Sequence, residues 1–357
     1  MSVKICKGNI NDDEFIDFIQ YVFGFNGSGE SSFYSLLPKL YGNGRIASDN
    51  NWFVVDENGK PLAAVGLYDI DYVIGDRFLH AKGIGNVAVH PRHRSKGYMI
   101  ASMNAALQDA IDSGAAMVVL GGVRHRYGHF GFEKCSLSYR FDINPRSVRY
   151  VLGDYKPSLK LVRVNADDNY YLDGILELQQ KERFRAVRNR KDLFDILVSW
   201  HSVPYVFLDN DKVVGFAIRA GNGIPDFYTD KAEYIDDMVA CLARDCGALT
   251  YETSLYEKSI NDRLSDFASY QALVANECVN VLNWEAVLGS MMDLSSSYGD
   301  MSDGSFVFEI DGYRQKETLE LSCSDGKTSV CRTDREPQMT LSHHDAMELF
   351  FSVFSKK

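Results

Sequence analysis

The sequence lacks a long apolar run. A membrane-spanning helix needs about 20 apolar residues in succession, and no window approaching that length occurs among the 357 residues. The first residues, 1–7, turn polar at once and contain no hydrophobic segment of a secretory signal peptide. These absences predict a protein without a membrane partner.

Cysteine is sparse, and its spacing is unsuited to cross-linking. The seven cysteines are odd in number and scattered, and none stands in C-x-x-C spacing. A disulfide framework and a zinc ribbon both require paired, regularly spaced cysteines. We therefore expect a reducing, cytoplasmic location.

Positive charge is also in deficit. The chain has 38 Lys and Arg against 49 Asp and Glu, which gives a net charge of −11. Because nucleic-acid binding depends on clustered cations, we exclude a general nucleic-acid binder and favour a neutral or cationic small substrate. The composition, with 45% hydrophobic residues, is that of a globular protein, and the length predicts two or three domains.

Short strands and helices alternate in the first third of the chain. Apolar residues at helical spacing predict an amphipathic helix over 12–23. The dipeptide Asn58-Gly59 predicts a tight turn between two strands. The further predicted elements are strands at 52–55, 62–67, 116–120 and 137–143 and a helix over 97–113.

The middle third repeats part of this pattern. Residues 205–216 again read as strand, Asn/Asp turn and strand, and a helix at 231–245 and a strand at 248–253 follow. The repeat predicts a degenerate second copy of the first domain, and coincidence among common hairpins is the alternative. From residue 277 the pattern changes to a small α+β unit. We place domains at 1–150, 151–276 and 277–357.

One segment contains no acidic residue. Residues 77–108 carry five Lys and Arg and no Asp or Glu, and their centre reads as a strand, a basic turn and a helix start. Unpaired N–H groups at a helix N-terminus bind phosphate oxygens, and Gly97 lets the backbone approach them closely. A solvated surface turn is the alternative.

A second motif follows about thirty residues later, at Tyr127-Gly128-His129-Phe130-Gly131-Phe132. The motifs V-x-V-x-P-x-x-R-x-x-G, starting at Val87, and Y-x-x-F-G-F together resemble the GNAT superfamily of acetyl-CoA-dependent N-acetyltransferases. The resemblance covers residues 3–143. It implies acetyl-CoA as co-substrate and no metal.

The layout of the whole chain resembles the enhanced intracellular survival protein family of aminoglycoside N-acetyltransferases. Residues 277–283 and 341–346 are similar to the entry and final helix of its last domain. The resemblance implies an α+β fold: a mixed-sheet GNAT acyltransferase domain, a degenerate GNAT-like domain and a small sterol-carrier-like α+β domain. It also implies a homo-oligomer, a hexamer.

The resemblance assigns roles to individual residues. Main-chain groups of Val87, Ala88 and Val89 would pair with the pantetheine amides. Tyr127 would be the general acid that protonates the departing thiolate, and a packed core tyrosine is the alternative. Gly122 and Val123 would line the pantetheine arm, and the pyrophosphate would lie on Arg94, Ser95, Lys96, Gly97, Tyr98, Met99 and Ile100.

Two positions depart from the pattern. Met99 stands where many GNAT loops have Gly or Ala, as the survival-protein relatives tolerate. Those relatives also bring their C-terminal carboxylate to the site as a base, whereas this chain ends soon after its last helix. A water chain, His90 and the terminal carboxylate all remain open as the base.

Two histidine pairs have metal-like spacing, His90 with His93 and His125 with His129. Arginines surround both pairs and would repel a cation, so we expect no metal.

The sequence predicts direct transfer of acetyl from acetyl-CoA to a primary amine of an aminoglycoside-like polyamine small molecule. We expect a substrate cleft beside the loop 24–44, with Glu30, Tyr34 and Tyr41. A peptide or polyamine acetyltransferase and a non-catalytic CoA- or acyl-binding module are the alternatives. Because Asp226 and Asp230 replace the basic turn in the middle copy, we expect CoA to bind only the N-terminal domain.

Overall fold

A computed structural model describes residues 2–24, 32–42, 44–135, 137–299 and 301–351. The chain forms two compact units. The first comprises the described residues of Met1–Ser32, Arg45–Ser136 and Asn276–Lys357, and the second those of Phe33–Gly44 and Leu137–Ala275. The three-domain division at residues 150 and 276 stays a prediction.

The strands are, in chain order, β1 (Lys4–Lys7), β2 (Asn51–Val55), β3 (Pro61–Asp69), β4 (Tyr72–Ile74), β5 (Arg77–Leu79), β6 (Ala81–Val89), β7 (Met117–Leu120), β8 (Glu133–Lys134), β9 (Leu137–Ile143), β10 (Lys160–Arg163), β11 (Phe184–Ala186), β12 (Val203–Asp209), β13 (Lys212–Ala220), β14 (Gly223–Tyr228), β15 (Leu249–Ser254), β16 (Tyr270–Ala275), β17 (Cys278–Val281), β18 (Gly304–Asp311), β19 (Lys316–Ser324), β20 (Lys327–Arg332) and β21 (Met339–Ser342). The helices are α1 (Asp12–Gly24), α2 (Phe33–Leu36), α3 (Pro38–Tyr41), α4 (Tyr98–Asp112), α5 (Arg124–Tyr127), α6 (Pro145–Leu152), α7 (Asn169–Gln179), α8 (Leu193–Val198), α9 (Ile235–Cys246), α10 (Lys258–Phe267), α11 (Trp284–Ser296) and α12 (His343–Phe351).

A seven-stranded sheet in the order β1-β2-β3-β6-β7-β17-β8 forms the centre of the first unit. The helices α1 and α4 cover opposite faces of it. The ring of Phe53 packs edge-on against Phe15 of α1, whereas the indole of the preceding residue, Trp52, donates a hydrogen bond to Asp109 of α4 at 2.9 Å. Successive side chains of a strand point to opposite faces, which places one helix on each. The predicted helices over 12–23 and 97–113 are confirmed.

The sheet opens between β6 and β7, its only parallel pair among the described strands. The pair holds from Ala81–Met117 to Ile84–Leu120, and beyond Ile84 strand β6 continues along β3 alone. The β3–β6 register shifts by one residue at Asn86, whose φ is 52°. Because β7 ends at Leu120, the edge of β6 beyond Ile84 has no partner strand on that side among the described strands, and we call the space beside it the crevice.

Two strands lie where the local pattern did not predict them. Strand β9 was expected to close the first part of the chain, but it lies between β15 and β16 in the second unit. Strand β17 instead lies between β7 and β8 in the first. Alternation of apolar residues predicts that a segment is a strand and does not identify its partner.

The second unit contains a seven-stranded sheet in the order β10-β12-β13-β14-β15-β9-β16. A two-residue turn, Asn210-Asp211, with both residues at positive φ, joins β12 to β13 as in a tight hairpin. Here too the fourth and fifth strands form the parallel pair, at Gly223–Thr250 and Ile224–Tyr251. The two sheets therefore have the same arrangement, as the sequence repeat predicted.

The last part of the first unit is a four-stranded sheet in the order β20-β19-β18-β21, accompanied by α11 and α12. Its buried residues include Val307, Ile310, Leu319 and Met347. The predicted small α+β unit is present, and its likeness to sterol carrier proteins stays a prediction. Among the described residues, no helix combines the length and apolar character that crossing a membrane requires.

Candidate functional site

The basic loop after β6 ends at an open helix start. Gly97, with a φ of 78°, precedes α4, and a Cβ built on it would meet no atom within 4 Å. The first helical bond runs from the Ala101 N–H to the Gly97 carbonyl, at 3.0 Å. The amides of residues 98–100 therefore precede the helical ladder and are available to an anion.

Positive charge surrounds this helix start. Arg94, Ser95 and Lys96 are exposed, and within the described part of the chain neither Arg94 nor Lys96 forms a salt bridge. The ammonium of Lys96 lies 3.4 Å from Nδ1 of His93. The loop can thus direct two unpaired cations toward a phosphate group.

The crevice brings together the residues expected to hold the pantetheine arm. Val87, Ala88 and Val89 lie on β6 beyond its last pairing with β7, and Gly122 and Val123 follow β7 after Gly121. Ala88 and Val89 remain paired with β3 on their other side. A strand edge of this kind can pair with the amides of a ligand.

Tyr127 lies at the β7 side of the crevice. Its side chain is buried, at 6% exposure, its ring packs edge-on against Phe132, and a Cβ on Gly122 would overlap it. Burial raises the pKa of the Tyr127 hydroxyl, although the hydrogen bond and charge of Arg126 oppose the shift. The phenol therefore holds its proton at neutral pH and can act as a donor.

The loop carrying Tyr127 is fixed by side chains from the C-terminal part of the first unit. Nε2 of His343 lies 2.9 Å from the Gly131 carbonyl, Nε2 of His344 lies 3.0 Å from the Gly128 carbonyl, and Nδ2 of Asn280 donates to the Phe130 carbonyl at 2.8 Å. Sequence reasoning missed these contacts. The only available signal was the pair His343-His344 in the segment similar to a final helix.

The tautomer of His343 follows from its two partners. Its Nδ1 accepts the Tyr313 N–H at 3.1 Å, so the ring proton lies on Nε2 and is donated to Gly131. Burial lowers the pKa of His343 to about 4. The ring is neutral at physiological pH and is a fixed bridge between two backbone groups.

A buried carboxylate stabilises the other end of the loop. Glu133 accepts hydrogen bonds from Arg124 and from the Lys134 N–H, and Arg124 also contacts Glu348 of α12 at 3.1 Å. Burial alone would raise the pKa of Glu133, but these donors outweigh it and hold the pKa below its usual value. The arrangement ties α5 to α12.

A polar cluster lies at the bulge, on the face of the sheet that α1 covers. Nδ2 of Asn86 donates to the Tyr68 hydroxyl at 2.5 Å, and Nδ2 of Asn51 lies 3.4 Å from the same oxygen. The ring of Tyr68 packs over Gly66 and Gly85, where a Cβ would crowd it. Sequence reasoning missed this cluster because a buried polar trio has no periodic signature.

His90 is a poor base in this geometry. Burial lowers its pKa, as do the neighbouring His93 and Arg92, so it is neutral at pH 7. Its Nδ1, however, accepts the Arg92 N–H at 3.2 Å, which uses the lone pair a base would need. The alternative terminal carboxylate lies outside the described residues, and the identity of the base stays open.

Two residues of the predicted substrate loop lie in the second unit. Tyr34 and Tyr41 lie in α2 and α3 of the second unit, and Glu30 lies outside the described residues. Among the residues that the structure describes, no three His, Cys, Asp or Glu side chains converge in a way that could hold a metal ion.

Comparison with protein families identifies the N-terminal region. Residues 11–135 match the family model of an acetyltransferase (GNAT) domain. The prediction of an acyltransferase is confirmed by this match. No curated protein matches the sequence.

Solved structures share the fold over nearly the whole chain. A GCN5-related N-acetyltransferase from Anabaena variabilis has a TM-score of 0.72 and 16% identity, with 99% of this chain and 91% of that chain covered. A probable N-acyltransferase from Enterococcus faecalis has a TM-score of 0.70 and 14% identity, covering 96% and 88%. Eis1 from Mycobacterium abscessus has a TM-score of 0.67 and 13% identity, covering 98% and 90%. The predicted mixed-sheet α+β fold is confirmed.

Proposed function

We propose that the protein is an acetyl-CoA-dependent N-acetyltransferase that acts on a primary amine of an aminoglycoside-like polyamine by direct transfer. The observation that carries this proposal is the crevice beyond Ile84, which has an open, basic helix start at one end and a buried phenol beside it. The positions of Val87–Val89 on β6 beyond Ile84, and of Gly122 and Val123 after β7, support the proposal.

The residues present fit acyl-CoA. The exposed cations of Arg94 and Lys96 and the amides of residues 98–100 suit a pyrophosphate, and the space above Gly97 lets it approach the backbone. The free edge of β6 at Val87–Val89 suits the two amides of a pantetheine arm. When bound, acyl-CoA supplies a thioester carbonyl and a thiolate leaving group.

Tyr127 would donate a proton to the sulfur that departs. The amine nitrogen attacks the thioester carbonyl, the carbon–sulfur bond breaks, and the hydroxyl proton moves to the developing thiolate. The buried site keeps the phenol protonated until that charge develops. A proton from the attacking amine must leave by a base or a water, which later reprotonates the tyrosine.

The side chains at the bulge have the polarity that an amine substrate needs. Tyr68, Asn86 and Asn51 place a hydrogen-bonded group of polar side chains at the bulge. The net charge of −11 favours the approach of a polycation. The polar side chains and the negative net charge together support a polyamine-like substrate over an acidic or neutral one.

The test is release of free thiol from acetyl-CoA in the presence of aminoglycosides, polyamines and lysine peptides. We expect thiol release that depends on the amine, fastest with an aminoglycoside. Faster turnover of a peptide or a simple polyamine would overturn the substrate class alone. Tight binding of acetyl-CoA without amine-dependent release would identify a non-catalytic CoA-binding module instead.

We also propose, from the family resemblance, a cytoplasmic homo-oligomer with six copies. Light scattering coupled to size-exclusion chromatography would give the mass of the assembly, and a monomeric mass would contradict this part of the proposal.

A further inference from the structure

The second sheet has its own opening, between β14 and β15. Their parallel pairing ends at Ile224–Tyr251, and a cavity of about 230 Å³ lies beyond it. A water's share of liquid volume is about 30 Å³, so the cavity exceeds what a single small ion fills. Its position in the sheet corresponds to that of the crevice in the first unit.

This cavity is unsuited to phosphate. The chain around β14 has no basic turn, and the first turn of α9 carries Asp236 and Asp237. Carboxylates at a helix start repel an anion. The charged side chains that line or adjoin the cavity are Arg183, Arg185, Arg188, Asp226, Glu252, Glu257 and Glu182.

The two arginines lining the cavity are already engaged. Both terminal nitrogens of Arg188 lie 3.3 Å from Oδ2 of Asp226, and the amide oxygen of Gln179, turned toward the guanidinium, accepts from Arg188 at 2.8 Å. Arg185 donates to the backbone carbonyl of Glu182 at 2.6 Å. The charges of Arg188 and Arg185 lower the pKa of Glu182, but they do not outweigh the effect of burial.

Glu182 lines the cavity and carries a buried carboxyl oxygen without a partner. Its Oε1 is buried, with less than 1 Å² exposed, and has no hydrogen-bond partner among the described residues. Burial, reinforced by the charge of Asp226, raises the pKa of Glu182 to about 9. Without a cation, this carboxyl group is therefore protonated at neutral pH, and a buried polar atom without a partner is costly.

We propose that this cavity binds a small organic amine, whose ammonium group pairs with the carboxylate of Glu182 and whose hydrocarbon body packs against Phe184 and Tyr228. The rings of Phe184 and Tyr228 offer an organic cation an apolar surface that a metal ion would not use, and no metal-holding group of three side chains is found among the described residues. The site lies in the second unit and does not depend on acetyl transfer.

Binding would release a proton. The protonated Glu182 and the ammonium ion give an ion pair between carboxylate and ammonium, and one proton goes to the buffer. The carboxylate of Glu182 then gains an N–H donor. Proton release therefore reports on this carboxyl group, which distinguishes it from an exposed carboxylate that is already ionised.

The experiment is calorimetric titration of the full chain with spermidine at pH 7.5, in phosphate and in Tris, whose ionisation enthalpies differ. We expect a binding event that releases up to one proton. The variant Glu182→Gln should abolish the proton release and weaken that event at least tenfold. Glu177→Gln, which changes an exposed carboxylate of the preceding helix α7, should leave both unchanged.

Several results would overturn the proposal. The first is that spermidine does not bind. The second is that Glu182→Gln binds spermidine with the same affinity and proton release as the parent protein. The third is that Mg²⁺ binds in place of the amine. If Glu182→Gln does not fold, as judged by circular dichroism, Glu257→Gln removes a second carboxyl group of the cavity and should also weaken binding. Acetylation measured on the same variants separates this site from the proposed active site, because the acetylation rate should not change.

Discussion

The imidazole of His343 and the carbonyl of Gly131 form a hydrogen bond of 2.9 Å between residues 212 positions apart. Gly131 belongs to the Y-x-x-F-G-F loop and has a φ of 81°, and a Cβ on it would collide with Tyr313 and Asn280. The loop that presents Tyr127 is therefore shaped by the C-terminal part of the chain.

This contact predicts a defect in turnover when the bridge is removed. His343→Ala leaves the Gly131 carbonyl and the Tyr313 N–H without their partner, which costs about 1–3 kcal/mol per buried group. We expect kcat to fall and the KM for acetyl-CoA to stay within a few-fold, measured by thiol release. His343→Gln can both donate and accept, so it should restore part of kcat. Equal kcat values for the Ala variant and the parent would contradict a positioning role.

His343 also predicts a pH dependence of stability. Its pKa is about 4 in the folded protein and near 6.5 when exposed, so the unfolded chain binds more protons between these values. The free energy of unfolding should therefore decrease as the pH falls from about 6.5 toward 4. Urea unfolding at several pH values measures this slope. The slope should be shallower in His343→Gln, and an identical slope in both proteins would contradict the assignment.

Tyr127→Phe tests the proton donor. The change removes one hydroxyl and little volume, so acetyl-CoA affinity should be nearly unchanged. If the phenol protonates the thiolate, kcat and kcat/KM should fall together by roughly 10²–10⁴-fold. Tyr150→Phe, at a tyrosine that is 90% exposed, is the matched control. Activity of Tyr127→Phe within about twofold of the parent would remove Tyr127 from the reaction.

Two substitutions of Gly97 separate the effect of side-chain charge from the effect of side-chain shape at the proposed anion site. Both Gly97→Asp and Gly97→Asn add a side chain at a positive φ that Asn and Asp tolerate better than most residues. Only the Asp variant adds negative charge. We expect its affinity for CoA to fall at least tenfold, about 1.4 kcal/mol, below that of the Asn variant. Calorimetry that gives the two variants equal affinities would mean that the loop does not hold phosphate.

The contrast between the two openings predicts one CoA site per chain. The second opening lacks the R-x-x-G turn, and acidic residues begin its helix α9. Titration of the full chain with acetyl-CoA should therefore give a stoichiometry of one. A clear second site would show that the second opening tolerates phosphate despite its carboxylates.

Local features of the fold could be predicted from the sequence because local chemistry determines them. The turn predicted at Asn58-Gly59 spans Asp56–Gly59 between β2 and β3, and helix α1 follows its apolar spacing to within one residue. The basic loop and its helix start were predicted for the same reason. The acid-free segment and the glycine at position 97 are features of consecutive residues, so the sequence alone displays them.

The remaining features depend on distant contacts. Nothing near β17 indicates that it pairs with β7, and nothing near Asn280 indicates a bond to Phe130 at a separation of 150 residues. The trio around Tyr68 likewise forms only when three separate strands come together. Such contacts depend on the assembled sheet, where pairing over long separations is decided by burial and not by local propensity.

The position of β17 in the first sheet has a consequence for synthesis on the ribosome. Strand β7 is completed at Leu120, but its neighbour does not emerge until Val281. At about 5–20 residues per second, translation of the intervening segment takes on the order of ten seconds or more, during which an apolar strand edge has no partner. A nascent chain arrested before residue 278 would retain that exposed edge and should aggregate or bind chaperones. The first sheet therefore reaches its native form late, after the second unit has left the ribosome.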